Sequence, residues 1–241
     1  MQSKTGDVES GRDAAALYPN MLESPQLRWA FIRKVYAIIL AQLLLTAGVA
    51  SAIFLTKPMR HFVAKTKLGF AIYIVVLVLP LILICPLRAY HKRHPVNFVL
   101  LGLFTVTMAF GLGFSCAFMK EKIILEAAIL TSVVVVALTL YTFWAVKRGR
   151  DFSFLGPFLF ASLLVILVFA LIQIFFPLGK LSLMIFGCLV SIIFAGFIVY
   201  DTNNLIKRFS YDEYIWAAVS LYLDIINLFL GLLYAFGAGE G

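Results

Sequence analysis

Two acidic residues in the last third of the chain stand inside long apolar stretches. Asp201 lies in the segment FIVYDTNNLI (197–206), and Asp224 lies in SLYLDIINLFL (220–230). Each stretch is long enough to cross a membrane, where a carboxylate costs about 2.5–3.5 kcal/mol on insertion scales. Because a residue this costly is rarely present without a function, we take Asp201 and Asp224 as the candidate site.

Two carboxyl groups held close together in a medium of low dielectric constant cannot readily both ionise. Such a pair shares a proton and titrates as a unit, which would make it a sensor of pH near neutrality. Once both protons leave, the pair would attract a hard cation such as Ca²⁺, so we expect Asp201 and Asp224 to form a transient calcium site. The alternative is a purely structural hydrogen bond from one protonated Asp to a neighbouring Asn or Tyr. Two acids on successive spans, with Asn203, Asn204 and Asn227 nearby, favour the functional interpretation.

Helical spacing predicts that the two acids face each other. Four polar or small residues of the last stretch share one helical face: Ser220, Asp224, Asn227 and Gly231. The preceding stretch carries a ridge of small residues that allows close helix approach: Gly187, Ser191 and Ala195. Asp201 and Asn204 lie on roughly the same side as this ridge. We therefore expect Tyr200, Asn204, Ser220 and Asn227 to supply polar support to the acid pair, together with Glu126 of the fourth span.

The composition identifies a membrane protein that crosses the bilayer several times. Of the 241 residues, 63% are apolar and 13% are charged, against about 45–50% and about 25% in soluble domains. The net charge of +8 comes from short loops between apolar runs, which indicates contact with membrane lipids and not with nucleic acid. The three cysteines lie inside apolar runs, so we expect no disulfide framework, no metal cluster and no cofactor.

Seven apolar runs are long enough to cross about 30 Å of hydrocarbon at ~1.5 Å per residue. They cover about 35–55, 68–87, 97–118, 123–146, 153–176, 181–205 and 215–236. The sequence thus predicts an all-α seven-helix membrane domain over 28–241, preceded by a disordered tail over 1–27. The connections are short, so successive helices are predicted to be antiparallel neighbours, and the third and fourth spans a tight helical hairpin.

The distribution of basic residues predicts the orientation. Eleven Lys and Arg residues lie near span ends on the side of the N-terminus, against seven on the other side. This bias places the N-terminus in the cytoplasm. Seven spans would put the C-terminus on the far side, whereas a re-entrant last segment would put both ends in the cytoplasm.

Two further charged residues have two interpretations each. Arg88, at the end of the second span, is either a basic residue at the membrane surface or a latch that pairs with Asp201 and closes a path. Glu126, one turn into the fourth span, is either an acid facing a pore or the partner of Lys122, four residues earlier on the same helical face.

Several short segments resemble one protein family. They are FIRKVY (31–36) leading into QLLLT (42–46), HPVN (94–97), YDT (200–202) and LYLDIINLF (221–229). With them the sequence resembles the transmembrane Bax inhibitor motif family, and within it the Lifeguard branch, from Leu27 to the end. The segment ESPQLRW (23–29) is similar to that of plant members.

The resemblance implies a seven-helix bundle whose last helix is central. It implies a pH-dependent calcium leak across an intracellular membrane (endoplasmic reticulum, Golgi or vacuole), with calcium as the permeant ion, and suppression of programmed cell death, which could also involve cell-death regulators as partners. It further implies that Asp201 and Asp224 are the pH-sensing pair and that Arg88 is the latch on Asp201.

Other functions fit the sequence less well. A membrane scaffold that regulates cell-death proteins without conducting ions stays open as an alternative. Intramembrane aspartyl proteases also carry Tyr-Asp on one span, as in Tyr200-Asp201, but their second acid follows Gly-x-Gly, whereas Tyr222-Leu223 precede Asp224 here. We therefore expect no enzymatic activity. A seven-helix receptor is disfavoured because no Asp-Arg-Tyr ends the third span and no Asn-Pro-x-x-Tyr lies in the seventh.

Overall fold

The computed structural model describes residues 16–19, 21–56, 66–176 and 178–239, apart from the side chains at 70 and 174. Within these ranges the chain forms seven helices and no strands. They are α1 (Pro25–Leu55), α2 (Lys67–Tyr90), α3 (Val96–Ala117), α4 (Glu121–Lys147), α5 (Leu155–Phe175), α6 (Lys180–Lys207) and α7 (Tyr214–Gly239). Each helix is long and apolar enough to cross a membrane. The predicted all-α, seven-span fold is confirmed.

The first helix begins about ten residues before the predicted start of its span. Pro25 occupies the first turn of α1, where its fixed φ suits a helix start and its missing N–H is not needed. The segment before it also packs, since Leu17 is only 6% exposed. Leu17 is thus buried and residues 25–27 belong to α1, whereas the sequence predicts a disordered tail over 1–27; for the rest of the tail this stays a prediction. Residues 1–15 and 20 lie outside the described residues.

Helix α7 lies at the centre of the bundle, and this prediction is confirmed. It packs against α1, α3, α4 and α6. Of the most apolar stretch of α7, 61% is buried, against 11–50% in the other six helices. The surrounding helices expose much of their apolar surface on the outside of the bundle. Helix α7 is covered by protein on most sides, so polar groups on it can be enclosed.

Not every pair of successive helices packs together. The pairs α2–α3, α5–α6 and α6–α7 do so, whereas α3 and α4 share little contact despite their very short connection. The predicted hairpin of the third and fourth spans is therefore wrong. Because α7 occupies the centre, α3 packs on α1 and α2 to one side, and α4 packs on α6 and α7 to the other.

One end of the bundle, which we call the amino-terminal end, collects four connecting segments. They are 16–24, 91–95, 148–154 and 208–213. Hydrogen bonds tie these segments together, including one from Arg28 Nη1 to the Phe209 carbonyl at 2.6 Å and one from Lys207 Nζ to the Arg150 carbonyl at 2.7 Å. The short α3–α4 turn lies at the opposite end.

Helices α6 and α7 approach each other most closely at two glycines. A Cβ atom on Gly187 would lie 2.6 Å from the Ala235 nitrogen and from the Gly231 carbonyl oxygen. A Cβ atom on Gly231 would lie 2.6 Å from Ser191 Oγ. The predicted ridge of small residues is thus confirmed at Gly187 and Ser191, and it lets the two backbones touch.

Substitution of Gly187 by Ala should destabilise the protein. The new methyl group would meet backbone atoms of α7, which cannot move aside as a side chain can, so we expect a loss of about 1–3 kcal/mol. Thermal unfolding in detergent measures the effect. Gly48→Ala is the matched control, because a Cβ atom there meets nothing within 4 Å and a mid-helix alanine gains about 0.5–1 kcal/mol over glycine. Equal unfolding temperatures for the two variants would contradict the close approach.

Candidate functional site

The two acids lie on the closely packed pair of helices α6 and α7. Asp224 is near the middle of α7 and is 4% exposed. Asp201 lies in the last two turns of α6 and is half-buried. The two carboxyl groups are within hydrogen-bonding reach of each other. The structure thus brings together the two residues that helical spacing placed on facing surfaces.

The hydrogen bonds around the pair leave one carboxyl oxygen without a donor among the described residues. Asn204 Nδ2 donates to Asp201 Oδ1 at 3.4 Å, whereas the buried Asp224 Oδ2 receives no donor from the part of the chain that the structure describes. Two carboxylates are both acceptors, so a hydrogen bond between them requires a proton on one of them. That single proton would satisfy both acids, which is the arrangement of a pair that titrates as a unit.

Of the five residues expected to support the pair, the structure brings one to it. Asn204 contacts Asp201. Tyr200 faces α5 instead, where its hydroxyl oxygen would lie 2.9 Å from a Cβ atom on Gly156. Asn227 donates to the Leu223 carbonyl of its own helix at 2.8 Å. Ser220 is half-buried on α7, one turn before Asp224.

Arg88 does not lie at Asp201 in this structure. Its side chain is exposed, and its guanidinium carbon lies 4.7 Å from the centre of the Trp216 ring. Trp216 precedes Asp224 by eight residues, which is about 12 Å along a helix at ~1.5 Å per residue. Because α2 ends beside the first turn of α7, its last arginine meets an aromatic ring there and forms no ion pair with Asp201. The latch expected from the resemblance is therefore not formed in this conformation.

The structure agrees with the second interpretation of Glu126, in which it is the partner of Lys122. The carboxylate is exposed and lies 3.6 Å from Lys122 Nζ, four residues earlier on α4. It lies apart from the acid pair, on the outer surface of the bundle.

The sequence analysis missed the polar contacts that tie α7 to α1. The Tyr222 hydroxyl lies 2.8 Å from Thr46 Oγ1, and both are buried. One turn earlier on α1, Gln42 Nε2 donates to Thr105 Oγ1 of α3 at 2.9 Å. The i, i+4 spacing of Gln42 and Thr46 in an apolar run was the available signal, because polar residues on one face of a span point to a helix interface.

Arg28 also has a larger role than that of a basic residue at the membrane surface. Its side chain is almost fully buried and donates to the Phe209 carbonyl at 2.6 Å and to Glu23 Oε1 at 2.7 Å. The Tyr211 hydroxyl donates to Glu23 Oε2 at 2.5 Å. We call Arg28, Glu23 and Tyr211 the amino-terminal clamp, because they fasten the start of α1 to the α6–α7 connection.

An ion pair and a further hydrogen bond hold the α6–α7 connection and the end of α6. Lys92 Nζ lies 2.8 Å from Asp212 Oδ2, and this hydrogen bond lowers the pKa of Asp212 to about 2. In the α4–α5 connection, Asn203 Nδ2 donates to Asp151 Oδ1 at 3.1 Å. The helices that carry the acid pair are thus tied at the amino-terminal end to three other connecting segments.

The described residues contain no group of three or more His, Cys, Asp or Glu side chains able to hold a metal ion. A resident Ca²⁺ takes about 6–8 oxygen ligands, more than two aspartates supply. Asp201 and Asp224 by themselves therefore supply too few ligands for a resident Ca²⁺. A transient contact of the pair with a cation stays a prediction.

Comparison with known proteins identifies the family. A family model described as "Inhibitor of apoptosis-promoting Bax1" matches residues 28–241. The chain belongs to the Bax inhibitor family. Among Bax inhibitor relatives, Protein LIFEGUARD 4 of Arabidopsis thaliana is 65% identical over 97% of this chain and 96% of its own length. Protein LIFEGUARD 2 of the same plant is 61% identical over 97% of each chain.

The Bax inhibitor relatives extend beyond plants. The Golgi anti-apoptotic protein of Vaccinia virus (strain Lister) is 39% identical over 87% of this chain and 86% of its own length. The chain is thus a plant-type Lifeguard member of the Bax inhibitor family, a membrane protein with several spans, and it has a viral relative named for preventing apoptosis.

Acid should loosen the amino-terminal clamp. Hydrogen bonds from Tyr211 and Arg28 lower the pKa of Glu23, so the clamp contributes stability above the usual glutamate pKa of about 4.3 and loses it as pH falls through the lowered value. Glu23→Gln should therefore lower the unfolding temperature at pH 7, and the difference from the unsubstituted protein should shrink towards pH 3. Thermal unfolding in detergent across this range measures it. A difference that is the same at pH 7 and pH 3 would contradict this role of the Glu23 charge.

Proposed function

We propose that this protein is a pH-sensitive calcium leak channel of an intracellular membrane, gated by Asp201 and Asp224, and that it suppresses programmed cell death. The observation that carries the proposal is the pair of facing carboxyl groups enclosed in a seven-span bundle. A pair at this depth is costly to keep, and its one evident chemistry is to hold or release protons and to meet a cation.

The gating step follows from the charge of the pair. With one shared proton, the two carboxyl groups form a hydrogen bond that holds α6 to α7 about two turns of α7 away from the glycine contact. Without it, two negative charges about 4 Å apart repel by about 4 kcal/mol at an effective dielectric constant of 20. The repulsion favours separation of the two helices or occupation of the gap by a divalent cation. Either outcome makes cation passage depend on pH.

The relatives support the proposed location and the role in cell death. The viral relative is named a Golgi anti-apoptotic protein, and the family description names inhibition of the apoptosis-promoting Bax1. The viral name favours an intracellular membrane for this chain, and both names favour a role in cell death. The excess of Lys and Arg at the amino-terminal end favours a cytoplasmic location for that end, so Asp201 would lie towards the cytoplasmic side and Asp224 near mid-membrane.

Purified protein in liposomes should pass Ca²⁺ at a rate that changes with pH near neutrality. Asp201→Asn and Asp224→Asn should each abolish that change, because an amide cannot take up or release the shared proton. A calcium-sensitive dye inside the liposomes, read at several pH values, measures the flux. Asp212→Asn is the matched control, since this exposed acid pairs with Lys92 away from the site, and it should keep the pH response.

The same experiment separates the alternatives. Flux that is absent at every pH would favour the non-conducting scaffold. A pH response that persists in both Asn variants would refute the sensor role of the pair. Cleavage of membrane-spanning peptides by the purified protein, lost in both variants, would instead favour an intramembrane aspartyl protease, which also uses two carboxyl groups sharing a proton.

Arg88→Ala should leave the resting calcium leak unchanged, because Arg88 contacts Trp216 and not Asp201. The variant should lose a cation–π contact worth about 0.5–1 kcal/mol at an exposed site, seen as a small drop in unfolding temperature. Arg88→Lys is the matched control, since it keeps a cation over the ring. A resting leak that rises in Arg88→Ala and not in Arg88→Lys would show that Arg88 closes the path in another conformation.

A further inference from the structure

A long apolar cavity opens between α1 and α4. Its volume is about 720 Å³, within the range of about 300–1,000 Å³ typical of ligand sites. Residues of α1 and α4 form its two walls, and its floor comes from α3 and α7. The floor residues are Leu112, Cys116, Ile225, Ile226 and Phe229.

The cavity opens sideways through the wall of the bundle. Several side chains that line it are exposed, among them Ala47 and Ser51 on α1 and Leu125 and Ser132 on α4. Because both helices span the membrane, this opening faces lipid chains and not water. We call this apolar cavity the lateral slot.

The lateral slot adjoins a second cavity at the α3–α4 turn. This second cavity, about 660 Å³, shares Phe54 and Glu121 with the slot and is also lined by Lys120. The turn lies at the end of the bundle opposite the amino-terminal end, at the depth of lipid head groups. We call this second cavity the mouth of the slot.

The charges at the mouth define what fits it. Lys120 and Glu121 place one positive and one negative group side by side at the mouth. The next charged residues on α4, Lys122 and Glu126, face each other at 3.6 Å. Among the described residues that line it, the mouth thus carries one positive and one negative group. An anionic head group would meet the Glu121 carboxylate, whereas a zwitterionic one offers a phosphate to Lys120 and an ammonium to Glu121.

We propose that the lateral slot and its mouth bind one zwitterionic phospholipid, with an acyl chain between α1 and α4 and the head group between Lys120 and Glu121. The apolar lining, the opening towards lipid and the paired charges at one end match the three parts of such a molecule. The site does not depend on the leak proposed above. Its floor residues Ile225 and Ile226 directly follow Asp224, so a bound chain would pack against α7 at the level of the acid pair.

Native mass spectrometry of the detergent-purified protein tests the proposal, with phosphatidylethanolamine and phosphatidylglycerol as the zwitterionic and anionic probes. We expect one phosphatidylethanolamine to be retained in preference to phosphatidylglycerol. Ala47→Phe should lose this lipid, because the ring fills the slot. Ala41→Phe is the matched control, since Ala41 is an exposed alanine of the same helix on a different face, and it should keep the lipid.

A second variant and a second measurement guard against misfolding. Glu121→Gln should abolish the preference for phosphatidylethanolamine over phosphatidylglycerol while one lipid stays bound. Phosphatidylethanolamine should also raise the unfolding temperature of the unsubstituted protein, because a ligand that binds the folded state stabilises it.

Equal lipid retention by Ala47→Phe and Ala41→Phe would overturn the slot as the site. A preference for phosphatidylglycerol, or one unchanged in Glu121→Gln, would overturn the head-group assignment. Since every readout is lipid binding, a failure here is distinct from a failure of the proposed leak.

Discussion

Enclosing a carboxyl group at mid-membrane constrains the rest of this bundle. Asp224 is almost fully buried on α7, where neither water nor lipid can compensate its polarity. The compensation has to come from a neighbouring helix, and the carboxyl group of Asp201 on α6 lies within hydrogen-bonding reach. This contact requires α6 and α7 to lie very close, which Gly187 and Gly231 make possible because they carry no side chain at the crossing. The central position of α7 follows, since a helix with a polar stripe needs protein around it.

The two ends of the bundle are built differently. At the amino-terminal end, Arg28, Glu23 and Tyr211 fasten α1 to the α6–α7 connection, and Lys92 holds Asp212 of the same connection from the side of α2. At the opposite end, α3 and α4 share little contact, and the lateral slot opens between α1 and α4. At this opposite end, α7 is held by its close contact with Gly187 of α6. Because α7 contributes residues to both the acid pair and the lateral slot, a movement of this helix would alter both sites.

Arg88 illustrates how a family pattern and a particular conformation differ. The resemblance implies that a basic residue after the second span pairs with the first acid, and Arg88 is at the matching position in the sequence. In the structure the guanidinium lies over Trp216, which belongs to the first turn of α7 and so to the helix that carries the second acid. Arg88 therefore contacts the helix that carries Asp224 about two turns before that acid.

Much of this protein follows from the sequence alone. Seven apolar runs fix seven spans because backbone groups in hydrocarbon must be bonded within a helix, and helical spacing places Asp224, Gly231, Asp201 and Gly187 on facing surfaces. Periodicity reports only the face on which a residue lies, however, and not the helix that meets that face. Only the tertiary structure decided that Tyr200 faces α5, that Arg88 meets Trp216 and that α3 and α4 part after a tight turn. Burial of Arg28 and opening of the lateral slot were likewise decided there, because both depend on segments far apart in the chain that meet only once α7 occupies the centre.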